Sequence, residues 1–506
     1  MRRRFQSFTR RPIRLVPVTF AVFIAVVTVL LMLPVAKQGT GRTGFLDALF
    51  TATSAITVTG LSTLDIPSHW SGFGQVVLLF AIQVGGIGIM TSTAFLGLLV
   101  SNKLGLRGKL MTQAELNPTL NLGDLRLIIL KTFAIAVVVE LAVTVMLAAR
   151  FYFGYGFSGV ASLWQGLFHA VSSFNNAGIS LFHDSFIRFQ TDWLISGPSM
   201  AAAIIGSLGM PVLFELTRRG WGRRRWSLHT KMTLAGTTIL FVGGWIVFLA
   251  FEWSNPGTFG PLAWYDKLLP SLFQSTALRT SGLNSIDVGA LHEQSLLVSV
   301  ALMFIGGGAA GTAGGIKVTT FFVLLWVIWA EVRAEPDVSA FRRRISPQVM
   351  RQALTVALVY LAFSAVAVLL MRMFEPHLLL APIMFEVTSA AGTVGQSTGI
   401  TPVLSDPSLF LLIFLMFGGR IGPVLLATSL AMRARQRLYR YPEGRPLVGL
   451  STPARRRTAT TSEDGHSLTV VQFVAQKGLP RCPVKPGNAP VASRSGCNSC
   501  CRSLPR

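Results

Sequence analysis

Apolar runs of around 20 residues recur along this chain, and they come in pairs separated by a short polar segment that carries a glycine. PVTFAVFIAVVTVLLML and QVVLLFAIQVGGIGIM make the first pair, with TATSAITVTGLST (residues 51–63) between them. A run of that length crosses the roughly 30 Å hydrocarbon core as a helix. The middle segment is too short to do so: about ten helical residues cover ~15 Å, half of the core. The pattern predicts a spanning helix, a half-length helix, an extended return through the glycine, and a second spanning helix.

Four such units follow one another. Their middle pieces align as FTATSAITVTG, FHAVSSFNNAG, FQSTALRTSG and FEVTSAAGTVG, ending at Gly60, Gly178, Gly282 and Gly395. The leading phenylalanine precedes the glycine by 10, 10, 9 and 10 residues, and the glycines lie 118, 104 and 113 residues apart. Repetition at this scale is the mark of a membrane transport protein assembled from internal repeats. The fold class is therefore all-α and polytopic, with eight transmembrane helices and four pore loops around a central pore. Residues 1–14 form a cytoplasmic N-terminus, and the repeats occupy 15–102, 103–230, 231–345 and 346–449.

Composition and charge sharpen this picture. Only 13% of the 506 residues are charged and mean hydropathy is +0.55, whereas a soluble chain carries roughly a quarter charged residues. The first apolar run is too long for a signal peptide and no small-residue cleavage site follows it. The net charge of +24 concentrates in residues 2–14, 103–126, 218–231, 333–351 and 433–445. Segments such as STLDIPSHWSG and NSIDVGALHEQS between them are poor in lysine and arginine. The positive-inside rule puts all five basic stretches, and both termini, in the cytoplasm of a multi-pass protein of the plasma membrane, in bacteria the inner membrane. The partner of this basic face is the lipid bilayer, and nucleic acid is excluded.

The middle segments carry the chemistry. Extended backbone at membrane depth survives only where it lines water or packed protein, because lipid leaves its N–H and C=O groups unsatisfied. Four such loops around one axis make a pore walled by carbonyl oxygens, which replace part of a cation's water shell. Glycine fits the narrowest point because it brings no side chain into the path. The plainer reading, four extracellular turns, accounts for neither the matched spacing nor the missing charge. The ion-binding set is Thr57, Val58, Thr59 and Gly60; Asn175, Asn176, Ala177 and Gly178; Arg279, Thr280, Ser281 and Gly282; and Thr393, Val394 and Gly395. The metal is bound by backbone carbonyls there, with no side-chain site. Arg279 is expected to brace its loop from behind.

The second span of repeat three begins as a helix, then runs through GGGAAGTAGG at residues 306–315. Six glycines, each about 1 kcal/mol poorer than alanine, predict a broken helix. A flexible loop there is the expected gate, made by Gly306, Gly307, Gly308, Gly311, Gly314 and Gly315 with Lys317. A helix-packing patch of small residues is the alternative. Arg420 lies about 11 residues into the last apolar run, where an isolated cation costs at least ~2.5 kcal/mol.

Other motifs carry less. Gly306, Gly308 and Gly311 satisfy G-x-G-x-x-G, but no strand–turn–helix context surrounds them. No catalytic triad or paired carboxylates stand out, so an enzyme is the weakest reading, and the chain itself needs no cofactor. A rocking secondary carrier also uses broken helices, but favours inverted repeats over four like-oriented loops. Residues 450–506 hold all four cysteines, Cys482, Cys497, Cys500 and Cys501. They read as a disordered tail in preference to a zinc site, since C-x-x-C-C is incomplete.

TVTGLS, NNAG, RTSGLN and SAAGTVGQSTGIT resemble the four filter segments of the Trk/Ktr/HKT superfamily of potassium transporters. The resemblance runs from about residue 15 to 449 and includes QVGGIGIM, IIGSLGMPVLFE and MFGGRIGP. With one span before the first filter and the ending RQRLYRYPEGRPLVG, the chain is nearest to membrane subunits of the Ktr type. The resemblance implies potassium as the transported ion, with sodium as a coupled ion left open. It also implies a homodimer with one pore per protomer, and a cytosolic regulatory ring that binds the nucleotide, ATP/ADP or NAD. Arg420 then faces the pore beside the glycine-rich segment. In the related plant transporters, glycine at all four filter positions goes with potassium, and serine in the first repeat goes with sodium. The alternatives are a sodium-permeable or poorly selective cation transporter, or a rocking carrier. Two departures stand out: Gln396 where leucine is usual, and GGGAAGTAGG in place of a serine–proline variant.

Overall fold

A computed structural model describes residues 15–103, 124–219 and 226–432. The N-terminal basic stretch and the cysteine-bearing tail lie outside the described residues. So does most of the second basic stretch, and so do residues 433–449 of the fourth repeat.

Each apolar run folds as helix, and each pair encloses a short one. The first repeat consists of α1 (Leu15–Leu31), α2 (Phe45–Thr57) and α3 (Gly72–Lys103). The second has α4 (Asp124–Tyr155), α5 (Gly159–Asn175), α6 (Trp193–Leu208) and α7 (Met210–Arg219). The third has α8 (Leu228–Glu252), α9 (Leu268–Thr276), α10 (Glu293–Phe304) and α11 (Val318–Val332). The fourth has α12 (Pro347–Phe374), α13 (Leu380–Gly392) and α14 (Asp406–Met432). A two-residue hairpin, Ser339–Ala340 with Arg343–Arg344, links the last two repeats. The outward faces of α4 and α12 are apolar, with Val138, Leu141, Val145, Leu358 and Leu369 exposed, as suits lipid contact.

The eight predicted spans are therefore ten helices. Among the described residues, four spans (Gly72–Ser92, Ile129–Tyr155, Leu228–Glu252 and Pro347–Phe374) are each a single helix long and apolar enough to cross. The second span of repeat three breaks at the glycine run, as expected. The second span of repeat two also breaks, bending by 102° between α6 and α7. The repeat pattern predicts one continuous second span through IIGSLGMPVLFE; instead Gly209, at φ +90°, turns the chain there. A side chain on it would meet the backbone of Ala309 and Gly311, so the two breaks are packed against each other.

The short helices α2, α5, α9 and α13 hold the aligned phenylalanines, and Phe50, Phe168, Phe273 and Phe385 are all buried. Each enters a different apolar cluster, so each short helix is anchored separately, at about 1.5–3 kcal/mol of burial per ring. Buried carboxylates fix the helix starts of the last two repeats. Glu252, at the end of α8, accepts the His292 N–H at 3.0 Å and the Ser295 hydroxyl at the start of α10. Glu375, just past α12, accepts the Ser405 N–H at 2.8 Å and the hydroxyls of Ser405 and Ser408. Both place negative charge at the positive end of a helix.

Candidate ion pathway

The four short helices end in the same way. The residue two before the ring glycine is left-handed in every repeat: Val58 (φ 55°), Asn176 (58°), Thr280 (77°) and Thr393 (49°). Three of these are β-branched, for which that conformation costs roughly 1–3 kcal/mol. Strain held at four equivalent places marks a constrained site. In repeats one, two and four the closing bonds are alike. Thr59, Ala177 and Val394 each donate N–H to the carbonyl five residues back, at 2.8 Å. The serine at that position also braces the loop. Ser54 Oγ accepts Gly60 N–H at 3.0 Å, Ser389 Oγ accepts Gly395 N–H at 3.1 Å, and Ser172 Oγ donates to Ile179 O at 2.7 Å. Repeat three, one residue shorter, closes with a widened turn in which Gly282 N–H bonds Ala277 O at 3.2 Å.

The glycines form a closed ring. A Cβ on Gly60 would lie 2.6 Å from Ala177 O and 3.0 Å from Gly178 Cα. One on Gly178 would lie 2.8 Å from Gly282 Cα, one on Gly282 would strike Val394 O, and one on Gly395 would lie 2.9 Å from Gly60 Cα. All four have positive φ, between 67° and 104°. The carbonyls of Thr59, Ala177, Ser281 and Val394 accept no hydrogen bond among the described residues. These residues are nonetheless buried. Free carbonyls and converging helix C-termini, each carrying about half a negative charge, make an environment for a cation.

Side chains of the predicted set divide into two groups. Thr57 and Thr59 bond each other at 2.7 Å within the first loop. Asn175 turns away from the ring, donating to Gln83 Oε1 at 2.8 Å and Glu140 Oε1 at 3.1 Å. Arg279 donates to Thr237 O at 2.9 Å and Gly306 O at 3.1 Å, so its guanidinium is tied to the glycine-rich segment.

That segment is a lariat with a narrow neck. Gly306 N–H bonds Ile316 O at 2.8 Å and Val318 N–H bonds Gly307 O at 3.0 Å. A Cβ on Gly307 would sit 2.5 Å from that of Ala313. Its tip is tied down: Gly308 N–H donates to Ser207 O at 2.8 Å and Thr312 N–H to Gly206 O at 3.1 Å. The glycines thus allow close packing and a tight neck. Thr312 joins the segment to the ring, since its hydroxyl accepts from Asn176 Nδ2 at 2.5 Å. Gly314 packs against Gly392 and Thr393. Arg420 donates to Thr312 O, and Lys317 Nζ to Ala313 O at 2.6 Å. Both cations are thereby held to the lariat by its own carbonyls. The sequence reading missed Thr312, Gly206 and the three bracing serines; the serines alone left a signal, at the fifth position of three aligned pieces.

A membrane protein of four repeats whose short helices meet at a ring of glycines falls in the class of membrane transport proteins built from internal repeats. Comparison with known proteins gives the family: residues 11–436 match the TrkH cation transport protein model, and the chain belongs to that family. It is a cation transport protein and not an enzyme. It is 37% identical over 443 residues to the Ktr system potassium uptake protein B of Bacillus subtilis, covering 87% of this chain and 97% of that one. It is 36% identical to the protein of that name from Vibrio alginolyticus, covering 86% and 94%. It is 34% identical to the potassium/sodium uptake protein NtpJ of Enterococcus hirae, covering 87% and 97%. The crystal structure of the potassium transporter TrkH from Vibrio parahaemolyticus superposes with a TM-score of 0.65 at 17% identity, covering 84% of this chain and 85% of that one. That likeness concerns the fold.

Proposed function

We propose that this chain carries potassium across the cell membrane through the ring of Gly60, Gly178, Gly282 and Gly395. One observation carries the reading: four glycines placed so that a side chain on any one would strike the backbone of a neighbouring filter loop, beside carbonyls that accept no hydrogen bond among the described residues. A pore needs such a ring, and a rocking carrier does not. The names of the Bacillus and Vibrio alginolyticus relatives, both potassium uptake proteins, support potassium as the ion. The lariat at residues 306–315, with Lys317 and Arg420, is the gate in this reading, since it packs against the filter loops of repeats two and four. The protein works as a homodimer under a cytosolic ring that binds ATP/ADP or NAD, and α11 is the lever by which that ring moves the lariat. A sodium-permeable pathway is the alternative, in line with the potassium/sodium name of the Enterococcus relative.

The test is Gly60→Ser in transport-deficient cells, with potassium and sodium uptake followed in parallel. A Cβ there meets Ala177 O at 2.6 Å, so the ring must widen or shift. The expected result is a folded protein with a lower potassium-to-sodium ratio; an unchanged ratio in a folded variant would overturn the ring.

A further inference from the structure

The residue after the ring glycine is apolar in three repeats, Leu61, Ile179 and Leu283, and polar in the fourth, Gln396. Both Gln396 and Gln274, on α9, are 0% exposed. Their amides face each other in a reciprocal pair: Gln274 Nε2 donates to Gln396 Oε1 at 2.9 Å, and Gln396 Nε2 to Gln274 Oε1 at 3.0 Å. Gln396 Nε2 also approaches Leu283 O at 3.4 Å. Its backbone carbonyl takes the Ser389 hydroxyl at 2.6 Å.

We infer that Gln274 and Gln396 form a clasp that sets the spacing of the third and fourth filter loops, and with it ion discrimination. The inference rests on the potassium-pore reading above. Gln396 follows Gly395 directly and Leu283 follows Gly282, so the clasp spans two neighbours in the ring. Side chains after the leading phenylalanine are polar in all four repeats: Thr51, His169, Gln274 and Glu386. His169 and Glu386 bond within their own repeats, to Ser180 and Thr401. Gln274 alone among these four bonds across to another repeat in the described residues. A two-bond amide pair resists change in separation in both directions, and each partner, left alone, would be a buried amide with unsatisfied atoms. Without the clasp the adjacent carbonyls are free to close around a smaller ion, so sodium should gain relative to potassium. The two glutamines are positioning residues, acting through the backbone they hold.

The test compares Gln396→Leu, Gln274→Leu and the double variant, leucine being the side chain at two of the equivalent positions. The protein is reconstituted in vesicles, and potassium and sodium fluxes are read together. Each single variant should lower the potassium-to-sodium ratio about fivefold, the factor that ~1 kcal/mol represents. The double variant should be no lower than the lower single, because the two side chains act as one unit. Unchanged ratios in folded variants, or losses that multiply in the double, overturn the clasp. Should the singles fail to fold, the double, apolar on both sides, still decides: a wild-type ratio overturns the inference and a lowered one supports it. A wild-type protein with no potassium preference would instead overturn the pore reading itself.

Discussion

Removing Arg420 separates two effects that the structure places on one side chain. Arg420 is 3% exposed, its Nη1 donates to Thr312 O, and Nε and Nη2 have no partner among the described residues. Arg420→Ala gives up one charged hydrogen bond, worth about 1.5–3 kcal/mol, and also removes two buried unpaired donors that cost roughly 1–3 kcal/mol each. The terms offset, so the variant should fold with a melting temperature within a few degrees of the parent. Transport should respond much more. At an effective dielectric near 20, a fixed unit charge repels a second one by about 2 kcal/mol at ~8 Å, and every ~1.4 kcal/mol taken off a barrier is tenfold in rate. Basal potassium flux into vesicles should therefore rise at least about tenfold. Arg420→Lys keeps the charge and loses the fork, and should stay close to the parent. A folded Arg420→Ala protein with parental flux would remove the arginine from the pathway. A lysine variant as open as the alanine one would show that the bond to Thr312, and not the charge, is the barrier.

Two further outcomes follow from the geometry. Deleting residues 308–312 removes the tip of the lariat while Gly307 and Ala313 already lie side by side. The neck can rejoin, and the folded protein should give larger, less regulated potassium flux in vesicles; equal or smaller flux would make the segment packing only. Burial raises the Glu375 pKa, but the Ser405 N–H and hydroxyl, the Ser408 hydroxyl and nearby His377 outweigh it and hold the carboxyl below its ordinary range. A lowered folded-state pKa gives stability that is present above the unfolded value, about 4.3, and is lost as pH falls through the folded one. Glu375→Gln should thus melt a few degrees lower at neutral pH in detergent, with the gap closing below about pH 4; a gap that persists in acid would mean the loss is one of shape and not of charge.

The parts of this molecule that sequence made legible are those that repeat. Hydrophobic length announces a span, and a phenylalanine ten residues before a glycine recurs because each short helix needs its own anchor and its own left-handed exit. Gly60, Gly178 and Gly395 were legible for that reason, and Gly282 despite its shorter spacing. The break in the third repeat was legible because six glycines are too many for a helix. The 102° bend at Gly209 was not, since two glycines and a proline (Gly206, Gly209 and Pro211) are tolerated in an apolar membrane run, and the close approach of Ala309 to Gly209 shows only in the structure. Thr312 and Gln274 were hidden for the same reason: a polar residue in a helix or loop does not disclose a partner more than a hundred residues away.

Symmetry makes the ring, and departures from symmetry make the connections to it. Repeats one, two and four close their short helices with the same bonds, so nothing in those bonds distinguishes one loop from another. The third repeat differs in having a shorter approach, a widened turn and Arg279 three residues before its glycine. Arg279 ties that loop to Gly306 O, at the neck of the lariat that breaks the same repeat's second span. Asn176, of the second repeat, reaches the lariat's Thr312, and Gln274 reaches across to Gln396 of the fourth. Among the described residues, none of these ties is made by the equivalent residues of the other repeats. The lariat cannot leave its place without breaking the bonds of Asn176 and Arg420 to Thr312 and loosening that of Arg279. On the proposed reading, opening the path and relaxing the filter of repeats two and three are therefore one motion.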